Sequence, residues 1–225
     1  MAAITNLRGT VLQIVNGVER RMGYRPSTTV TATRTALTYV DLLNDVLSFV
    51  ADYGDWPQLY QEITVTAAGS ARTIEVSAAS PIHHIYEVHY GTQISPLSPR
   101  SVSDMRLLDR TSAIGTPRQY AVIDTSGVNP RLRIYPRAKA TSGLAMNIGV
   151  YTHPRLYVSG DGGQTPVFSQ QLLTQGLYAA ALLDESNGAE TQSYQTQYTM
   201  FLRQLREEHN RWQADTGTDL QLNPE

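Results

Sequence analysis

The run "IHHIYEVHY" holds His83, His84 and His89, the densest set of groups in the chain able to take a proton or a metal ion. Side chains alternate along a strand, so His83, Ile85, Glu87 and His89 share one face and His84, Tyr86, Val88 and Tyr90 the other. His83 and His89 then lie roughly 20 Å apart, too far to hold one ion unless other strands contribute. Glu207-Glu208-His209 lacks the His-Glu-x-x-His spacing that places two imidazoles on one helical face. "SGDGGQTP" has the glycines of a phosphate loop but not its Lys-Ser/Thr grip, and no Gly-x-Ser-x-Gly elbow occurs. With no cysteine, thiol catalysis, disulfides and thiolate metal sites are excluded. The reading is a chain with no catalytic residue, no metal and no cofactor.

Arginine is the more informative residue. In "RLRIYPRA", Arg131, Arg133 and Tyr135 alternate with Leu132 and Ile134, which predicts a strand with an arginine-aromatic face opposite an apolar one. Such a face resembles a single-strand nucleic-acid platform, yet the chain carries a net charge of -2 and shows no binding-helix or zinc-finger pattern. Between Arg100 and Arg155 nine basic residues face three acids, whereas the last 42 residues hold eight acids against Arg203, Arg206 and Arg211. Lys139 is the only lysine. Opposite charge segments rich in arginine suit contacts between protein surfaces.

The elements that must carry these residues come in three blocks. Leu7, Val11, Ile14 or Val15, Val18 and Met22 recur at helical spacing before Gly23, and a second helix is predicted from about Thr35 to Tyr53. The period then changes to two. Gln61, Ile63 and Val65 mark a strand, and Thr73 to Ser77 is expected to return as its hairpin partner. Further strands are expected at "IHHIYEVHY", Arg118–Asp124, Arg131–Tyr135 and Leu144–Tyr151, with a short helix from Ser101 and Trp56 as a plug where helices meet sheet. "GDGGQTPVF" reads as a flexible loop leading into helices at about Pro166–Leu183 and Ala189–Trp212, the last long and polar with one apolar stripe. The fold class is α+β, a bundle of N- and C-terminal helices packed with a central antiparallel β region. The predicted divisions are 1–58 for the first helices, 59–158 for the β domain, 159–212 for the closing helices and 213–225 for a flexible tail. No apolar run is long enough to span a bilayer, and the start lacks a leader pattern, so the expectation is a soluble, unprocessed protein made in the cytoplasm.

The order of "SFVADYGDWPQLYQEITVTAAG", Pro96-Leu97, "GTPRQY", "RLRIYP", "YTHPRL" and the helical run after "TPVF" resembles the head-to-tail adaptors of short-tailed bacteriophages, the tail tubular protein A-like family. The resemblance runs from about residue 7 to 212. It implies a structural, non-enzymatic virion protein at the head–tail junction. Twelve copies would form a ring beneath the portal protein, continue the DNA channel without recognising sequence, and dock the tail nozzle protein. Helices would face the channel near the portal and the β region would reach toward the tail. Carried onto this chain, the resemblance implicates Tyr198, Phe201, Leu205, Trp212, Leu220 and Leu222 in portal contact. It places Arg118, Arg131, Arg133 and Arg137 at a neighbour or nozzle contact, and Glu207 and Glu208 are candidates to face the channel. A stopper or tail-completion protein is the alternative, with a nucleic-acid-binding protein behind it.

Overall fold

A computed structural model describes residues 8–67, 72–108, 113–124, 129–138 and 144–215. The chain divides into two compact units, Met1–Gln58 with Pro154–Glu225, and Leu59–His153.

The first unit is helical. Helix α1 spans Val11–Arg21, and its Thr10 cap and Gln13 satisfy each other's backbone N–H groups in a capping box. Gly23, at φ 83°, ends the turn where a side chain would be strained. Helix α2 (Arg34–Asp52) starts at the Thr33 cap and helix α4 (Gln170–Glu185) at the Ser169 cap; helix α5 covers Gln192–Asp215. Helix α4 packs on the other three, and this explains its buried, almost uncharged sequence. Its Gly176 sits where an added Cβ would meet Val46 of α2 and Phe201 of α5, each at 2.7 Å, so this glycine lets both neighbours approach closely. Trp56 is a plug of the helical unit. It is fully buried against Phe168 and His209, and its indole N–H donates to the Val50 carbonyl at 2.7 Å.

The glycine-rich loop expected to be flexible is pinned instead. Buried Asp161 accepts from Arg155 and from the Val158 N–H. The carbonyls of Gly162 and Gln164 take the N–H groups of Leu12 and Val11, two of the donors that a helix start leaves open.

The second unit is built from two sheets sharing one core, with a short helix α3 (Val102–Leu108). One sheet has the order β1-β9-β3, all antiparallel, with β1 Tyr60–Ala67, β3 Ile82–Tyr90 and β9 Leu144–Thr152. The other has the order β2-β7-β6-β4, from β2 Thr73–Glu75, β4 Ser98–Pro99, β6 Gln119–Asp124 and β7 Arg131–Tyr135. Here β4 runs parallel to β6, and β5 (Ile114–Gly115) and β8 (Arg137–Ala138) form a parallel pair. The first sheet is therefore antiparallel and the second mixed, with the long strands antiparallel throughout. The expected hairpin between β1 and β2 does not form: β1 pairs with β9 and β2 with β7. Alternation identifies which residues face the core, and Ile63 and Ile74 both do so, but from opposite sheets.

Candidate interaction surfaces

Helix α5 buries a single stripe. Phe201, Leu205 and Glu208 are buried, with Tyr194, Tyr198, His209 and Trp212 half-buried along the same line. The opposite side, including Thr199, Arg203, Glu207 and Arg211, is exposed over its full length of about 36 Å. Beside it, Phe49 of α2 and Tyr53 at that helix's C-cap remain 42% and 40% exposed. Phe49 leans on Tyr198 and Phe201, Tyr194 stacks on Tyr198 at 5.5 Å, and Tyr53 meets His209 edge-on. A half-open aromatic ridge thus runs along two helices. Asp41, Asp45 and Asp52 are exposed on α2, in a stretch from Ala36 to Ala71 that contains no lysine or arginine.

The two sheets of the second unit differ in their charged residues: the β2-β7-β6-β4 strands hold Arg131 and Arg133 with Glu75 and Asp124, both acids in register with Arg131. Strands β1, β3 and β9 hold Glu62 and Glu87 and no lysine or arginine. Every described arginine of this unit belongs to the other sheet, to α3, to β8 or to segments bonded beside them. Leu132 and Ile134 enter the core, so Arg131, Arg133 and Tyr135 lie on the outward side of β7, with Arg131 exposed and the other two half-buried. Helix α3 packs on β6 and β7 and buries Met105.

On the outer side of the β1-β9-β3 sheet is a cleft of about 390 Å³. Register places Glu62, Gly149 and Glu87 in one row. The Tyr60 ring lies across Gly149, where a Cβ would come within 2.6 Å of its hydroxyl, and that hydroxyl donates to Glu87 at 3.2 Å. Burial, then the adjacent Glu87, push the Tyr60 phenol up to about 12. Glu87 also meets His89 at 3.2 Å, and Thr64 donates to Asn147 at 3.0 Å. The histidine run is not a regular strand: shifts at Ile82/His84 and Ile85/Glu87 break the alternation, bringing the His83 and His84 rings to 5.1 Å and stacking His84 on Tyr151. The arrangement is polar and open, with neither an enclosed pocket nor a base aimed at a reacting group.

Residues 9–220 match the family model described as SU10 adaptor protein. The chain belongs to that family. The match spans every described element of both units. Comparison with curated proteins gives no match. The adaptor is thus a structural, non-enzymatic head-to-tail protein, located at the virion's head–tail junction after synthesis in the host cytoplasm, and it meets portal and tail components there.

The predicted site residues fall into distinct environments in this adaptor. Phe201 and Leu205 are core side chains that seat α5, whereas Tyr198 and Trp212 keep partial exposure. Leu220 and Leu222 lie outside the described residues. Gln213 to Asp215, assigned to a flexible tail, continue α5, and the Gln213 amide donates to the Asp55 carbonyl at 3.0 Å. Glu207 is exposed and paired with Arg203 at 2.9 Å. Glu208 is buried instead, where its carboxylate accepts the Ser169 hydroxyl hydrogen, because position 208 falls on the stripe that packs against α4. Arg118 and Arg131 are exposed, and Arg133 and Arg137 half-buried. Sequence reading missed the acidic α2 face and the cleft. The first was visible as a long window without a basic residue; the second needed the β1–β9–β3 register.

Proposed function

We propose that twelve copies of the chain form a closed ring beneath the portal protein, extending a channel through which genomic DNA passes without sequence recognition, and that the ring receives the tail nozzle protein below. The observation that carries this reading is the family match across both units. The long exposed face of α5 and the aromatic ridge beside it support a protein-covered surface. Portal contact is assigned to α5, through Tyr198 and Trp212, and to residues 216–225 including Leu220 and Leu222. Phe201 and Leu205 hold that helix in place from within. The arginine-bearing face with Arg118, Arg131, Arg133 and Arg137 serves the neighbouring subunit or the nozzle. Repeated contacts between two different faces close a ring when the rotation closes. Acidic groups toward the DNA, with exposed Glu207 as one, keep phosphate contacts few.

Native mass of the chain alone and mixed with purified portal tests this. The reading expects a portal complex carrying twelve copies. No association, or a fixed smaller number, contradicts it.

A further inference from the structure

His83 and His89 stand too far apart along β3 to share an ion, but the neighbouring strand delivers another histidine to the first of them. His153 directly follows β9, and the pairing of Ile82 with Thr152 sets it beside the start of β3, where its N–H donates to the Pro81 carbonyl at 2.8 Å. Pro154 after it holds its backbone in the extended region. Between the pairs Ile82–Thr152 and His84–Tyr151 the register slips by one residue, so His83 is the extra residue of a bulge, a device that re-aims a side chain. Its ring centre lies 4.8 Å from that of His153, with the planes at 88°. His84 is turned aside and stacks on Tyr151 at 5.0 Å.

That separation is what a shared metal ion requires. A zinc ion stands about 2.0–2.1 Å from an imidazole nitrogen and so about 3.2 Å from the ring centre, which sets two coordinated ring centres about 4.5 Å apart at a right angle and about 5.2 Å apart at the tetrahedral angle. The observed 4.8 Å falls inside that interval. A nitrogen of each ring already lies within 4.8 Å of the other, and the torsion that turns an imidazole about its Cβ–Cγ bond is soft, so ring rotation aims both at one ion. His83 is exposed and His153 half-buried, which gives an ion an entry path. Imidazole donors suit zinc, copper and nickel, whereas magnesium and calcium prefer oxygen ligands. We propose that His83 and His153 form a two-imidazole site for a divalent transition ion of the zinc class, its remaining positions open to water. A bound ion ties the start of β3 to the residue that leaves β9, and so stabilises the folded state.

The full chain, freed of any affinity tag, is titrated with zinc chloride by calorimetry. One ion per chain at micromolar concentration is expected, with a rise in melting temperature when zinc is added. His83→Ala and His153→Ala each weaken binding by more than about tenfold and abolish that rise, because losing a ligand costs at least as much as losing a ligand's supporting hydrogen bond. His84→Ala and His89→Ala change neither. In the unaltered chain, electron spin resonance of bound copper shows coupling to two imidazole nitrogens, which reads the site even where a variant fails to fold. No zinc uptake below millimolar concentration overturns the site, as does a copper spectrum with a single imidazole nitrogen. Undiminished binding in His83→Ala or His153→Ala overturns it too, and loss of binding in His89→Ala would assign the ion to the Tyr60–Glu87 cleft instead.

Discussion

The Ser169 hydroxyl, which caps α4 by accepting the Leu172 N–H, donates its own hydrogen to the buried carboxylate of Glu208 on α5. One hydroxyl therefore ties the start of the central helix to the last one, and the negative charge lies at the positive end of the α4 dipole. Glu207, one residue earlier, makes only an exposed pair with Arg203.

Glu208→Ala is expected to destabilise the protein by about 1–3 kcal/mol, because it leaves a buried hydroxyl without its acceptor. Glu207→Ala is expected to change stability by no more than about 0.5 kcal/mol, the scale of an exposed i,i+4 pair. Urea denaturation of the two variants compares them directly. Equal effects would show that the buried contact carries no weight.

Gly176→Ala tests how closely α4 is held. Helix propensity favours alanine by about 1 kcal/mol, but the new methyl would strike Val46 and Phe201 at 2.7 Å, and overpacking of that kind costs about 1–3 kcal/mol. A net loss of stability is expected; a gain in melting temperature would mean the three helices separate easily.

The architecture was legible where a periodic signal exists. Residues 11–22 and 35–53 announced α1 and α2, and Leu132 and Ile134 alternating with arginines announced β7 and its core side. What escaped was pairing. Nothing in the local pattern of Ile63 and Val65 says that their strand lies beside Leu144–Thr152, more than 75 residues away, and not beside the nearer β2. The same limit hid the cleft, since Glu62 and Glu87 are neighbours only through Gly149. Position 208 was misread for a different reason. A carboxylate suggests water, and only the packing of α5 on Ser169 shows why this one is inside.

Tyr60 supplies a pH test. Its phenol is raised from the ordinary 10 to about 12, so the folded state favours the neutral form. That contribution is fully present below pH 10 and is lost as pH rises from about 10 to 12, where the unfolded chain ionises first. Spectrophotometric titration of the tyrosines should show a late-ionising phenol that Tyr60→Phe removes. An unchanged titration curve in that variant would rule out the raised value.

Removal of residues 216–225 is expected to leave the melting temperature within about 1 °C, because α5 ends at Asp215 with Gln213 tied to Asp55. Portal attachment should weaken measurably, by tenfold or more if the segment supplies about 1.4 kcal/mol of contact. Sedimentation of the truncated chain with purified portal reads this. Undiminished binding would confine the portal contact to α5 and the ridge beside it.

The adaptor ring itself is tested most directly by electron cryo-microscopy of the head–tail junction in the intact virion. The expected map shows twelve copies of this chain as a closed ring directly below the portal, with α5 toward the portal and the DNA passage open at the centre. A map that places the chain one ring lower, closing the axis, or finds no copy touching the portal, would contradict it.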